Sequence, residues 1–202
     1  MRYGLFLLFC ATLWSGAASL SARAAIIEFS GTFSGLNEVP TNSSPATGTV
    51  FGVLDDVAKT LQLNATFSGL TGTVTQAHIH SSATSAPGVS AGIAVGNTTL
   101  PNFPLGVTTG TYSQTIDLNQ QSVYGVAYFT NNGNNITTVS NTFIDQLKNN
   151  RSYFNIHTST LSGGEVRANL TAVPEPSSFA LIGISIGAMG WGYRRWSKHR
   201  LR

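Results

Sequence analysis

Leu61-Gln62-Leu63-Asn64-Ala65-Thr66-Phe67-Ser68 alternates apolar and polar residues without a break. Successive side chains of an extended chain point to opposite faces, so this octapeptide reads as a strand with one face in a core and one in water. Val166, Ala168 and Leu170 repeat the pattern against Glu165, Arg167 and Asn169. Working outward, Ile26 to Phe33, Thr47 to Leu54, Val74 to His80, Ala91 to Val95, Thr111 to Leu118, Val123 to Phe129 and Tyr153 to Thr158 are further strand candidates, nine in all. Asp55 to Ala58 predicts a hairpin turn, and Ser162-Gly163-Gly164 a second turn before the last strand. Around Asn141 to Asn149 the period changes. Phe143, Ile144 and Leu147 share a helical face, with Ser140 or Asn141 as N-cap and Asn149 or Asn150 suited to the left-handed C-terminal position. Many strands and one short helix predict an all-β fold, an antiparallel, Ig-like β-sandwich or barrel.

Both ends of the chain read as addresses rather than as parts of that fold. Met1-Arg2 supplies a positive start, Leu5 to Leu13 an apolar stretch and Ala22-Arg23-Ala24 an A-x-A site, so residues 1–24 are expected to be a signal peptide cut before Ala25. An uncleaved N-terminal anchor is the alternative, although the apolar stretch is short for a span. At the other end, Pro174-Glu175-Pro176 precedes an apolar run from Phe179 to Tyr193 and the cations Arg194, Arg195, Lys198, Arg200 and Arg202. Such a run followed by cations halts in a bilayer with its charges in the cytoplasm. As a helix, its 15 residues reach roughly 22 Å against a hydrocarbon core of about 30 Å. The shortfall favours transient over permanent anchoring, the retained anchor being the alternative.

Removing the ends inverts the charge. The sequence as a whole carries +3, but residues 25 to 173 keep only Lys59, Lys148, Arg151 and Arg167 against seven carboxylates, a net −3. That region has no basic footprint for nucleic acid or anionic lipid. Its length of about 149 residues suits one domain. The sole cysteine, Cys10, lies in the signal peptide, so the domain relies on its core rather than on disulfides.

The chemistry concentrates in Gln76-Ala77-His78-Ile79-His80 and Asn155-Ile156-His157-Thr158. Two residues apart on a strand, His78 and His80 project from one face, preset for a single metal ion, while Ala77 and Ile79 point to the other. His157, on another predicted strand, is the third histidine of the domain. Neutral imidazoles suit copper, zinc or nickel. Ring nitrogens within about 3 to 4 Å of one another would suit a shared ion with bonds of roughly 2 Å. Glu165 or Tyr153 could add an oxygen ligand. The competing reading is a polar layer in which each histidine bonds within the fold, His157 to a nearby backbone carbonyl. Glu165 and Arg167 read as a surface or rim ion pair rather than an acid/base dyad. No G-x-S-x-G elbow opens a helix, no fixed spacing links a serine to a base, and phosphate-loop and dinucleotide fingerprints are absent.

Two resemblances add to this reading. The C-terminal thirty residues resemble the PEP-CTERM sorting signal of Gram-negative bacteria, which implies cutting by an exosortase near Pro174, Glu175 and Pro176. Phe33-Ser34-Gly35-Leu36-Asn37-Glu38-Val39-Pro40, Ala46-Thr47-Gly48-Thr49, Ala77-His78-Ile79-His80, and Tyr153 to Thr158 with Gly163-Gly164-Glu165-Val166-Arg167 resemble the CHRD domain in family order. That resemblance spans about Ile27 to Leu170, departs at Ser81 where a glycine commonly follows the second histidine, and implies a β-sandwich or barrel. The family lends no settled activity and no settled ligand set.

Together these readings lay out a signal peptide (1–24), a CHRD domain (25–172) and a sorting segment (173–202) with an apolar helix at 179–193. They predict a protein exported from a Gram-negative bacterium to the cell surface or beyond after transient inner-membrane anchoring, with signal peptidase and exosortase as partners during export. Its expected role is a non-enzymatic binding or structural module of exopolysaccharide or biofilm systems, with exopolysaccharide or surface proteins as partners and copper or zinc at His78, His80 and His157. The alternative is a metal-dependent copper or zinc redox enzyme, since the His pair resembles in a general way the His-x-His strand of copper-zinc superoxide dismutases.

Overall fold

A computed structural model describes residues 26–84 and 87–173. The predicted signal peptide with Ala22, Ala24 and Ala25, the Pro174-Glu175-Pro176 triplet and the 179–193 apolar run lie outside the described residues. Eight strands form one antiparallel sheet: β1 (Ile26–Phe33), β2 (Thr47–Asp55), β3 (Thr60–Ser68), β4 (Val74–Ser81), β5 (Ile93–Val95), β6 (Gly110–Asp117), β7 (Ser152–Thr158) and β8 (Val166–Ala172). Their spatial order is β5-β4-β7-β8-β1-β2-β3-β6. The sheet curls into a half-barrel, so the expected antiparallel β fold is present as a single continuous sheet.

The curl follows from alternation. In β2 and β3 the inward residues Val50, Leu54, Leu61, Leu63, Ala65 and Phe67 are buried, while their neighbours face solvent. The hinge between the two halves of the sheet is the short pairing of β1 with β8, where Phe29 meets Ala172 and Ser30 meets Thr171. Across the interior, Phe33 of β1 meets Phe154 of β7 edge-on at 5.2 Å. Phe103, from the connection between β5 and β6, contacts Phe67, Tyr112 and Phe154 at 5.6, 5.0 and 5.8 Å. Three strands and the connecting segment thus meet on one aromatic residue. The open side is laced by Val74 N–H donating to Val107 O and Gly106 N–H donating to Val74 O. At the hairpin between β2 and β3, Asp55 Oδ1 accepts from the N–H groups of Val57 and Ala58.

One predicted strand is corrected. Val123 to Phe129 is instead a 3-10 turn followed by the helix α1 (Val126–Asn131). Its buried residues come in pairs, Tyr124 and Gly125 then Tyr128 and Phe129, separated by exposed Val126 and Ala127. That spacing follows the helical period rather than two. The second helix, α2 (Ile136–Lys148), starts earlier than expected, capped by Asn135, whose side-chain oxygen accepts from the N–H groups of Thr137 and Thr138. Ser140, one of the expected caps, lies buried inside the helix and donates to Thr137 O. At the other end Asn149 caps the helix and Asn150 takes the left-handed conformation. Val139, Phe143 and Leu147 are fully buried, and Phe143 packs on Tyr124 and Tyr128.

Candidate metal centre

Cross-strand register decides which side chains share a face. In the pairing of β4 with β7, Gln76 faces His157, His78 faces Asn155 and His80 faces Tyr153. In the pairing of β7 with β8, Asn155 faces Arg167 and Tyr153 faces Asn169. Residues opposite each other point to the same side of a sheet. The three histidines therefore stand with Tyr153, Asn155 and Arg167 on one face, while Ala77, Ile79, Phe154 and Ile156 fill the core on the other. β4 is irregular against both of its neighbours, with a register shift before the pair, between Val74 and Gln76 against β7, and another within it, between Ile79 and His80 against β5. Such bulges re-aim side chains.

Loops roof this polar face, so it is buried despite lying outside the curl. His78 is 1% exposed and His80 9%. Each ring is tied through one nitrogen to a backbone carbonyl: His78 Nε2 to Thr98 O at 2.8 Å, His80 Nδ1 to Ala91 O at 2.9 Å and His157 Nδ1 to Ser162 O at 2.8 Å. A carbonyl only accepts, so each bonded nitrogen carries the proton and the other presents a lone pair. Those other nitrogens, His78 Nδ1, His80 Nε2 and His157 Nε2, are buried and have no hydrogen-bond partner among the described residues.

The three rings meet. Centroids lie 5.7 Å apart for His78 and His80, 5.1 Å for His78 and His157, and 6.2 Å for His80 and His157. One ligand atom from each falls within 4.8 Å of the others. A single point then lies within about 2.8 Å of all three (4.8 Å divided by √3), and metal–imidazole bonds of about 2.0–2.1 Å require the rings to close by less than 1 Å. This is wider than the 3 to 4 Å expected for rings already gathered on an ion. Burial lowers the basicity of all three, His80 to about 4, so the rings are neutral at pH 7 with their lone pairs available.

The polar layer predicted as the competing arrangement is present too, including the bond from His157 to a nearby carbonyl. It accounts for one nitrogen of each ring. What it leaves over is one buried nitrogen on each imidazole, and Asn155 Oδ1 in the same layer, without a donor among the described residues, an arrangement that costs free energy unless a cation or proton enters it.

The surroundings are more elaborate than the spacing predicted. Tyr153 stacks flat on His80 at 4.8 Å, and the Arg167 guanidinium lies 3.4 Å from the centre of the Tyr153 ring. The Tyr153 hydroxyl accepts from Ala91 N–H and donates to Ala91 O, which also receives the His80 proton. Asn155 donates through Nδ2 to both Glu38 carboxylate oxygens at 2.8 and 3.0 Å. Burial outweighs the nearby Arg167 charge and raises the Glu38 carboxyl to about 7. Gly164, at φ +129°, makes room for this pair, since a Cβ there would press on Asn155 Nδ2 and come within 2.9 Å of Glu38 Oε1. Glu38 and Asn155 escaped the reading of the sequence as site residues. The available signal was a carboxylate inside an otherwise apolar and small-residue motif of a domain poor in charge.

The surface or rim position expected for Glu165 and Arg167 is corrected, because they are 0% and 1% exposed. Glu165 accepts from Ser44 Oγ at 2.6 Å, Thr71 N–H at 2.6 Å, Gly72 N–H at 3.3 Å and Thr158 Oγ1 at 2.7 Å. Burial pushes its carboxyl up, but these hydrogen bonds together outweigh it and hold it below the usual carboxylate value. Its oxygens, like that of Tyr153, are therefore engaged away from the imidazole lone pairs. β4 continues through Ser81, whose hydroxyl donates to Gln146 Oε1 at 2.8 Å, so no turn follows His80 directly.

Comparison with known families places these elements in context. The CHRD domain model matches residues 29–170, more than two thirds of the chain, and the PEP-CTERM protein-sorting motif matches residues 172–195. No curated protein and no solved structure matches the chain.

Proposed function

The chain belongs to the CHRD domain family and carries a PEP-CTERM sorting motif, and from that premise we propose that it is an exported surface module holding one transition-metal ion at His78, His80 and His157. The sorting motif indicates export and surface sorting in a Gram-negative bacterium with processing by exosortase. On this reading residues 1–24 are removed by signal peptidase, the 179–193 run holds the chain transiently in the inner membrane, and residues 25–172 work outside as a binding or structural component of an extracellular polymer system.

The observation that carries the metal reading is the set of three buried, unpartnered lone pairs, each fixed by a bond from the opposite ring nitrogen to a backbone carbonyl. Such outer bonds set tautomer and orientation in metal-binding histidines. The ligand set is mixed, Nδ1 from His78 and Nε2 from His80 and His157, and imidazole nitrogen suits copper and zinc in an oxidising compartment. Three ligands also leave a coordination position, and that opening favours the second reading, a redox enzyme.

Metal analysis of the full chain after equilibration with copper or zinc tests the proposal. About one ion per chain is expected, and none once His78, His80 and His157 are replaced by alanine. Uptake unchanged by those replacements would refute it. Ion uptake with no turnover of a redox substrate would favour the binding module over the enzyme. Mass spectrometry of the exported protein tests processing: a product ending near Pro174 to Pro176 is expected, and retention of 179–202 would instead indicate a permanent anchor.

A further inference from the structure

The half of the sheet that lacks the histidines presents a second ordered surface. Exposed threonines stand in one rank across four strands, Thr32 opposite Thr49, Thr49 opposite Thr66 and Thr66 opposite Thr111. The next rank reads Ser30, Phe51, Asn64 and Ser113 in the same register. Neighbouring side chains within a rank repeat at the strand spacing of about 4.8 Å. The two ranks line a shallow depression of about 610 Å³. Within it, hydroxyls and amides already pair across strands, Thr49 with Thr66 at 3.3 Å and Ser113 with Asn64 at 2.8 Å. Phe51, 39% exposed, stands in the middle.

From this array we infer that the outer face of β1, β2, β3 and β6 binds an extended neutral polysaccharide. The inference rests on the reading of the chain as an exported binding module and is independent of the metal centre. Charge selects the occupant. Neither rank contains an ionisable side chain; the nearest carboxylate, Glu28, is one rank further along β1. A polyanion would find no cation here, in a domain whose net charge is −3. A second protein surface fits less well, because interface cores are apolar and Phe51 is the single large apolar side chain of the two ranks. A neutral sugar chain matches both halves of the surface. Its hydroxyls donate and accept, as do those of serine and threonine, and the C–H face of a pyranose ring packs on an aromatic face.

Adsorption of the full chain to cellulose and chitin, with an alginate gel as the polyanionic control, tests the inference. The parent protein is expected to adsorb to at least one neutral polymer. Phe51→Ala and Thr66→Lys, both exposed and therefore compatible with folding, should each weaken adsorption about tenfold while leaving the melting temperature unchanged. The variant lacking the three histidines should adsorb like the parent, so failure of the metal proposal and failure of this one are separately visible. Localisation of the protein in its host separates failure of the export reading. No adsorption to either neutral polymer, adsorption unaffected by the two variants, or stronger retention on alginate would overturn the inference. So would a dimer that Thr66→Lys dissociates, since the face would then belong to a second copy.

Discussion

His78 and His80, two residues apart on β4, are anchored through opposite ring nitrogens: Nε2 of His78 to Thr98 O and Nδ1 of His80 to Ala91 O. Each ring consequently leaves its other nitrogen buried and without a hydrogen-bond partner among the described residues. Nitrogen-15 NMR of the metal-free protein should show His78 as the Nε2–H tautomer and both His80 and His157 as the Nδ1–H tautomer. Burial lowers the His80 value to about 4 from an ordinary 6.5, so its ring should remain neutral as the pH falls from 7 to 5. A His80 titrating near 6.5, or a uniform Nε2–H population, would contradict the geometry.

That opposition of nitrogens was beyond the sequence, although much around it was legible. Period two located β3, β8 and the strands bearing the histidines, because one face of each meets core and the other meets water or a polar layer. The same rule misplaced Val123 to Phe129, where alternate apolar residues in a short window satisfy both periods until Tyr128 and Phe129 are seen to follow Tyr124 at helical spacing. In Ile136-Thr137-Thr138-Val139 the β-branched residues masked the first turn of α2. The partners of the imidazoles come from Thr98, Ala91 and Ser162, all through backbone carbonyls, and a main-chain atom leaves no mark in residue identity. Arg167 alternates correctly in β8 but faces a roofed layer, which alternation cannot tell from solvent.

Glu165 ties the turn before β8 to Ser44, Thr71, Gly72 and Thr158, so Glu165→Gln should destabilise the protein by about 2–4 kcal/mol in a urea unfolding experiment. The sign of the pH effect follows from its lowered folded-state value. Relative to the unfolded chain at 4.5, the carboxylate stabilises the fold above pH 4.5, and that contribution is lost as the pH falls through the folded value. The gap between parent and variant should therefore narrow below pH 4.5; a constant gap would contradict this role.

Gly164 occupies a backbone conformation unsuited to other residues and stands against the pair formed by Asn155 and Glu38. Gly164→Ala should cost about 1–3 kcal/mol through the backbone alone. Displacing Asn155, two residues from His157, should also weaken metal uptake. Unchanged stability would show that the turn relaxes without loss.

Phe143 joins α2 to the Tyr124 and Tyr128 rings with no exposure to solvent. Phe143→Ala should lower stability by about 3–5 kcal/mol, read as a large fall in melting temperature. The tautomers of the three histidines should survive, since their anchors lie elsewhere; their loss would mean that the helix supports the site directly.

Binding at the centre should itself stabilise the fold. With free copper or zinc at a hundred times its dissociation constant, a gain of about 2.7 kcal/mol is expected. Alanine at His78 and His80 should abolish that gain, whereas an equal gain in the variant would place the ion elsewhere.

Anomalous diffraction from crystals of the protein grown with copper or zinc probes the centre most directly. A single peak about 2.0–2.1 Å from His78 Nδ1, His80 Nε2 and His157 Nε2 is expected, with the bonds to Thr98, Ala91 and Ser162 intact. Three rings free of any ion, or an ion held through His78 Nε2 with the Thr98 bond broken, would contradict the account.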